Sequence, residues 1–208
     1  MNAQTLRLTL TGAAGAIEAV RDDPAGASRG VAVIAHPHPL FAGTMDNKVV
    51  QTIARAFVQC GFSAVRFNFR GVGASDGVHD EGRGECDDLL AVVRQVAAHG
   101  EPLALAGFSF GAFVTSHAVQ ALWPERPPVR LVLVGTAAAR FDVAPLPEAA
   151  RDRALVVHGE HDDTVPLSAV MDWARPQSLP VTVIPGGGHF FHGQLPLLKS
   201  LVVRHLAA

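Results

Sequence analysis

The sequence has almost no cysteine, little excess of charge of either sign and no long apolar run. Its 208 residues include two cysteines, Cys60 and Cys86, too few to form a disulfide framework for a domain of this size. A formal net charge of −2 at pH 7 offers no basic surface to a polyanion, so no nucleic-acid partner is expected. No stretch approaches the roughly 20 apolar residues that cross a bilayer, so no membrane association is expected.

These absences favour a soluble, cytoplasmic protein. Residues 1–10 have no basic segment followed by a long apolar run, and we therefore expect no signal peptide. Neither cysteine adjoins a motif that would activate a thiol, so both are interpreted as small apolar or half-exposed residues. Because we find no linker, internal repeat or low-complexity segment, we expect a single domain over residues 1–208.

The chain does contain a regular succession of strand and helix patterns. Two short alternating runs, 5–11 and 16–21, predict an N-terminal antiparallel edge hairpin. Aliphatic runs typical of strands buried on both faces follow at 31–35, 64–67, 103–106, 131–134, 155–157 and 181–184. Apolar residues at helical spacing occupy 47–59, 86–98, 110–122, 167–174 and 194–206. The succession predicts an α/β fold: a doubly wound, mostly parallel sheet of about eight strands.

A candidate nucleophile lies between one predicted strand and the helix after it. The segment Gly107-Phe108-Ser109-Phe110-Gly111 matches G-x-S-x-G in the strand–turn–helix context that makes this motif specific. A serine at the tip of a strained turn exposes its hydroxyl, and the residues two before and two after it must be small to avoid neighbouring backbone. We therefore predict that Ser109 is a catalytic nucleophile.

A nucleophilic serine needs a base, and the base needs an orienting carboxylate. In folds of this kind the two partners follow the serine as acid and then histidine, on loops at the carboxyl ends of later strands. The loop after 155–157 offers Asp162 and Asp163, and the loop after 181–184 offers His189 and His192. We predict Asp162 and His189, while the alternatives are interpreted as a turn or capping residue (Asp163) and a solvent-facing helix residue (His192).

The loop after strand 31–35 is where a second oxyanion donor is expected, beside the N–H of Phe110. Prolines at positions 37 and 39 have no N–H, which leaves the N–H groups of His38 and Leu40 as alternatives. His36 and His38 could instead form an H-x-H metal pair, and His158 and His161 are also three residues apart. Because ten histidines produce such pairs easily, we expect no metal.

A glycine-rich segment and several phenylalanines also lie close to the motifs. The G-x-G segment at 70–77 lacks the third glycine of a dinucleotide loop, so it is interpreted as a connecting loop in which Arg70 has a structural partner. Five phenylalanines lie next to motif residues, and at least one or two of them are expected to face the pocket. The predicted pocket residues are Phe41, Phe108 and Phe190, with Phe110 and Phe191 as the other phenylalanines beside motif residues.

Taken together, the motifs resemble the α/β-hydrolase superfamily, and in particular small bacterial serine hydrolases without a lid domain. The resemblance is carried in order by His-Pro-His-Pro-Leu at 36–40 with Gly-Thr-Met-Asp-Asn at 43–47, Phe-Arg-Gly-Val-Gly-Ala-Ser at 69–75, the serine motif, His-Gly-Glu-His-Asp at 158–162 with Val-Pro at 165–166, and Gly-His-Phe-Phe at 188–191. It implies a triad of Ser109, Asp162 and His189. Lids of the superfamily usually enter between the strands predicted here at 131–134 and 155–157, where only about twenty residues are available.

The expected activity is hydrolysis of a small carboxylic ester through an acyl-enzyme, in an open cleft and without a cofactor. Thioester or peptide cleavage uses the same groups and is therefore an alternative within enzymes. The alternative from another class is a binding module that has kept the fold without the catalysis.

Overall fold

A computed structural model of the protein describes residues 5–123 and 125–208. Their backbone forms an eight-stranded sheet. In chain order its strands are β1 (Leu6–Gly12), β2 (Gly15–Asp22), β3 (Val31–Ala35), β4 (Ser63–Phe67), β5 (Leu103–Phe108), β6 (Arg130–Val134), β7 (Ala154–Gly159) and β8 (Val181–Ile184). The strands lie side by side in the order β1-β2-β4-β3-β5-β6-β7-β8.

Helices connect the strands and cover the two faces of the sheet. In chain order the α-helices are α1 (Lys48–Gln59), α2 (Arg83–Val96), α3 (Phe110–Leu122), α4 (Glu148–Arg151), α5 (Leu167–Ala174) and α6 (Leu195–Ala207). Single turns of 3₁₀ helix at Pro39–Phe41 and Arg175–Gln177 were not predicted. The predicted bounds of α3 and α5 match the observed ones, and those of α1 and α6 differ by one residue.

The six strands from β3 to β8 are parallel to one another, and the N-terminal hairpin is antiparallel. In β3 the side chains of Val31, Val33 and Ala35 pack into the layer that holds α2, α3 and α5, whereas Ala32 and Ile34 pack into the layer that holds α1 and α6. Burial on both faces is the physical reason that these strands are almost entirely aliphatic. The predicted fold class, including the antiparallel edge hairpin, is confirmed.

Helix α2 begins earlier than its apolar spacing predicted, at residue 83 rather than 86, because of a buried carboxylate. The side chain of Glu85 accepts hydrogen bonds from the backbone N–H groups of Gly82 (2.8 Å) and Asp80 (3.0 Å). Glu85 is fully buried, and His79 Nδ1 lies 2.8 Å from its Oε1 atom. This capping arrangement satisfies backbone donors ahead of the first apolar residues, so the helix extends by three residues toward its N-terminus.

The connection between β6 and β7, where a lid domain would enter, is short. Residues 135–153 join β6 to β7 and contain only the four-residue helix α4. The predicted absence of a lid domain is confirmed within the described part of the chain. Among the same residues, no helix has both the length and the apolar composition needed to cross a membrane.

The glycine of β5 that precedes the candidate nucleophile provides a test of how closely strand and helix approach. A Cβ atom at Gly107 would lie 2.3 Å from the carbonyl oxygen of Gly111 and 2.5 Å from the backbone nitrogen of Ala112, both in α3. We therefore expect Gly107→Ala to lower the free energy of unfolding by more than about 2 kcal/mol, measured by urea denaturation.

The matched control is Gly26→Ala, since a Cβ atom there has no neighbour within 4 Å. It should change the free energy of unfolding by less than about 1 kcal/mol. Equal effects of the two substitutions would contradict the steric explanation.

Candidate active site

Ser109 occupies a strained turn between β5 and α3. Its φ of 58° and ψ of −117° are rare for a residue with a side chain. The backbone N–H of Ser109 donates to Val134 O in β6 at 2.8 Å, which ties the turn to the neighbouring strand. A Cβ atom at Gly111 would lie 2.4 Å from Ala35 O, so the helix can begin here only with glycine at that position. Both glycines of the motif are therefore required by backbone contacts.

The side chain of Ser109 lies within hydrogen-bonding distance of His189. The Ser109 Oγ atom is 3.0 Å from His189 Nε2, and His189 Nδ1 is 2.7 Å from Asp162 Oδ2. With an ionised carboxylate on Nδ1, that nitrogen carries the proton and Nε2 is free to accept the proton of the serine hydroxyl. The three residues come from the ends of three different strands, and together they form a continuous hydrogen-bonded chain.

Asp162 is held by more than its contact with His189. Its Oδ1 atom accepts the backbone N–H groups of Thr164 (2.9 Å) and Val165 (2.7 Å). Burial raises the pKa of the Asp162 carboxyl, but the hydrogen bonds from His189 and Val165 outweigh burial and hold the pKa below its ordinary value. The carboxylate is therefore ionised and fixed in orientation at neutral pH.

The geometry separates the alternatives in these two loops. Asp163 is exposed, and its carboxylate accepts a hydrogen bond from the hydroxyl of Thr164 at 3.3 Å. His192 is exposed in the turn before α6 rather than within that helix, and its ring centroid lies 6.0 Å from that of Phe190. Of the two pairs of candidates, only Asp162 and His189 belong to the hydrogen-bonded chain with Ser109.

A fourth polar residue of the site was not predicted. His158, at the end of β7, is fully buried, and its Nε2 atom lies 2.9 Å from Val165 O and 3.5 Å from Asp162 Oδ2. Burial lowers the pKa of His158, so its ring is neutral and Nε2 carries the hydrogen that Val165 O accepts. Its position beside a predicted catalytic loop was the only signal in the sequence.

The candidate oxyanion donors differ in their hydrogen bonding. The N–H groups of Phe110, the first residue of α3, and of His38 have no acceptor among the described residues. The N–H of Leu40 donates to His38 Nδ1 at 3.2 Å, and Leu40 is 70% exposed. Of the two alternatives that the sequence offered, His38 is favoured over Leu40, because the N–H of Leu40 is already engaged.

His36 anchors this loop from the protein interior. It is fully buried, and its Nε2 atom accepts the backbone N–H of Phe69 at 3.0 Å. The ring proton must then be on Nδ1, which donates to Pro37 O at 2.6 Å. Burial lowers the pKa of His36 to about 4. Both ring nitrogens are engaged, so His36 is a structural residue of the loop and not a metal ligand.

A cavity of about 420 Å³ lies beside the Ser109 hydroxyl. Two of the three predicted pocket residues, Phe41 and Phe190, line it. The third prediction, Phe108, is wrong: this side chain is fully buried in the core, and its ring lies 4.9 Å from that of His189. The lining side chains and glycine are Pro37, His38, Phe41, Ala42, Gly43, Asn47, Ser109, Phe110, Ala137, Arg140, Phe141, Thr164, Val165, His189 and Phe190.

Arg140 and Phe141 are the charged and the aromatic side chain of this lining that were not predicted from the sequence. Both belong to the loop after β6, which contains no recognisable motif. The rule that active sites lie outside the carboxyl ends of parallel strands could have identified the segment. Phe191, the remaining phenylalanine beside a motif, is fully buried in the core.

The glycine-rich loop at 70–77 binds groups of the protein itself. Arg70 forms a bidentate ion pair with buried Asp88, with Nη2–Oδ1 and Nε–Oδ2 distances of 2.8 and 3.0 Å. The carboxylate of Glu18 accepts the N–H of Ala74 at 3.0 Å and a side-chain N–H of Asn68 at 2.8 Å. The loop is therefore a connection with internal partners, as the sequence indicated for Arg70.

Within the described residues, neither the histidine pairs nor the cysteines form a recognisable metal or thiol site. No group of three or more histidine, cysteine, aspartate or glutamate side chains is placed to hold a metal ion there. His161, the partner in the second histidine pair, has a side chain that is 73% exposed. Cys60 and Cys86 are free and half-buried, and burial raises the pKa of the Cys86 thiol to about 11.

The sequence and the backbone are both similar to those of known proteins. A family model described as "Serine aminopeptidase, S33" matches residues 42–151, a range that includes Ser109 and ends before Asp162. A Rickettsia prowazekii protein described as uncharacterised is 32% identical over 181 residues, which cover 77% of this chain and 71% of the relative.

Solved structures extend the similarity over the whole fold. A lidless α/β serine hydrolase from Xanthomonas campestris superimposes with a TM-score of 0.87 at 35% identity, covering 100% of this chain and 95% of that chain. An α-β serine hydrolase homologue from Coxiella burnetii gives a TM-score of 0.80 at 38% identity, covering 97% of each chain. The likeness therefore includes all the strands and loops that carry the candidate site.

The buried histidine of the loop after β3, His36, predicts a pH dependence of stability. Because the pKa of His36 is depressed in the folded state, only the unfolded chain takes up a proton as the pH falls below about 6.5. Stability is thus lost as the pH falls from 6.5 toward 4. His36 accounts for about 2 kcal/mol of the decrease in the free energy of unfolding between pH 8 and pH 5. His36→Gln, which is neutral throughout, should show a smaller loss in urea unfolding than wild type.

The control is His99→Gln, at an exposed turn, which should lose as much stability as wild type over the same pH interval. His36→Gln is expected to be less stable than wild type at pH 8, so the comparison is made on the difference between the two pH values. An identical difference in His36→Gln and wild type would show that His36 already takes up the proton in the folded protein.

Proposed function

The chain belongs to the α/β-hydrolase superfamily, in the family described as serine aminopeptidase, S33, and from this we propose that it is a serine hydrolase that cleaves small carboxylic esters. The observation that carries the proposal is the hydrogen-bonded chain of Ser109, His189 and Asp162 beside an open cavity. No cofactor takes part in the proposed reaction.

In the proposed reaction, the Ser109 oxygen attacks the ester carbonyl carbon while His189 Nε2 takes the hydroxyl proton. Asp162 stabilises the imidazolium, and the N–H groups of Phe110 and His38 donate to the oxyanion. The protonated His189 then gives its proton to the leaving alcohol, which forms the acyl-enzyme. Water, deprotonated by His189, attacks the acyl carbon, and the carboxylic acid leaves as Ser109 regains its proton.

The cavity supports an ester substrate better than a peptide with a free amino terminus. An aminopeptidase must hold an α-ammonium group, and a carboxylate is the usual partner of such a group. Arg140 is the only formally charged residue that lines the cavity among those described, and it is a cation. The complete Ser109–His189–Asp162 chain also favours an enzyme over a binding module, which has no need of all three residues.

Removal of the proposed nucleophile is the direct test. We expect Ser109→Ala to lower kcat for 4-nitrophenyl butyrate by at least about 10⁴-fold, because loss of a triad serine leaves only oxyanion stabilisation and binding. Mass spectrometry after fluorophosphonate treatment should show one adduct on wild type, located at Ser109. Asp163→Asn and His192→Gln change the neighbouring alternatives and should keep turnover within about twofold.

Three substrate classes should be compared on wild type: 4-nitrophenyl esters, acyl thioesters and aminoacyl 4-nitroanilides. The proposal expects the highest kcat/KM for the esters. Wild-type turnover of the anilides alone would favour the peptidase alternative, and a complete lack of both turnover and adduct would favour the binding module.

The second proposed oxyanion donor can be tested apart from its side chain. His38 has a φ of −52° and a ψ of 124°, which proline adopts without strain, so His38→Pro removes the N–H while the local backbone conformation is kept. His38→Ala removes the imidazole and retains the N–H. We expect kcat of His38→Pro to be about 10²- to 10³-fold below that of His38→Ala. Equal values in the two variants would exclude the His38 N–H as a donor.

A further inference from the structure

The cavity beside Ser109 has two aromatic walls. The first wall consists of His38, Phe41, Phe110 and Phe141. Its ring centroids lie 4.9 Å apart for His38–Phe41, 4.8 Å for His38–Phe110 and 5.2 Å for Phe110–Phe141. The second wall is Phe190, whose ring lies 5.1 Å from that of His189. The first wall adjoins the proposed oxyanion donors, and the second adjoins the proposed base.

The proposed reaction, on which this inference rests, assigns the two parts of the ester to these walls. The leaving oxygen must face His189, because that residue donates its proton, so the alcohol part lies on the side of Phe190. The oxyanion faces the N–H groups of His38 and Phe110. The acyl chain then extends away from His189, past these two donors and toward Phe41 and Phe141 of the first wall.

Arg140 lies at this first wall. Its guanidinium carbon is 5.8 Å from the centroid of the Phe41 ring, an arrangement in which the face of the ring attracts the cation. No carboxylate within residues 5–123 and 125–208 approaches its guanidinium to within 4.0 Å. Arg140 lines both this cavity and an adjoining groove, and the acids Glu81 and Asp142 line only the groove.

The positive charge of Arg140 takes no part in the catalytic steps proposed above. Arginine presents a planar set of donors that matches a carboxylate, and here those donors stand at an otherwise uncharged, largely aromatic cavity. We propose that Arg140 is a specificity-determining residue that binds a carboxylate at the end of the acyl chain. The preferred substrates would then be monoesters of dicarboxylic acids rather than neutral esters of the same length.

The test compares two esters with the same number of acyl carbons: 4-nitrophenyl hydrogen adipate and 4-nitrophenyl hexanoate. The measured quantity is the ratio of their kcat/KM values, adipate over hexanoate, at pH 8 and low ionic strength after subtraction of spontaneous hydrolysis. We expect Arg140→Gln to lower this ratio at least about tenfold, as loss of a charge-assisted hydrogen bond implies. Arg140→Lys, which keeps the charge, should retain a ratio between those of Arg140→Gln and wild type.

Arg29→Gln is the matched control. Arg29 also lies over a phenylalanine ring, at 5.4 Å from the Phe62 centroid, and is exposed, but it does not line the cavity. Its substitution removes the same charge and should leave the ratio at the wild-type value. Added salt at 1 M should lower the ratio in wild type much more than in Arg140→Gln, because screening acts on the same charge pair.

The glutarate/pentanoate and suberate/octanoate pairs extend the comparison to shorter and longer acyl chains. A ratio that is the same in Arg140→Gln and wild type at every length would overturn the inference about Arg140. That result is distinct from failure of the proposed function itself, in which wild type would hydrolyse none of the neutral esters faster than Ser109→Ala.

Discussion

The close approach of β5 to α3 is the constraint on which the rest of the site depends. With glycine at 107 and 111, the strand can turn directly into the helix, and Ser109, midway between the two glycines, adopts a φ of 58°. That turn raises the Ser109 hydroxyl above the sheet edge and leaves the first N–H of α3 without a backbone acceptor in the described part of the chain. The positions of the proposed nucleophile and of one proposed oxyanion donor thus both follow from one backbone contact. Strain stored there is offset by packing of β5 in the middle of the sheet.

The opposite side of the cavity depends on a second buried contact, the imidazole of His36 against the backbone N–H of Phe69. It joins the loop after β3 to the end of β4, and the two prolines of the loop reduce the conformations that the chain can adopt there. His36 is neutral because burial lowers its pKa more than the hydrogen bond to Pro37 O raises it, whereas Asp162 is ionised because its hydrogen bonds outweigh burial. Electrostatic preorganisation at this site therefore comes from fixed backbone and side-chain partners.

Much of the fold was predictable because its signals are local in the chain. Strands buried on both faces have to be aliphatic, and helices between them have to be amphipathic, so element types and most bounds follow from patterning. The start of α2 did not, since it depends on Glu85, a carboxylate that becomes fully buried only when the helix packs. The order of the strands could not be predicted from the hydrophobic pattern either, because it is determined by which aliphatic faces meet.

For the candidate site, the types of residue and their order were predictable along the chain: a serine between two glycines, then Asp162, then His189. Those requirements are covalent and steric, and they can be read along the chain. Tertiary structure alone decided which neighbours face the cavity. It placed Phe108 beneath His189 in the core, and it placed Arg140 and Phe141 beside Ser109 from a loop with no recognisable motif. The reason is physical: side-chain direction at a loop depends on the packing of residues distant in sequence, which a local pattern does not record.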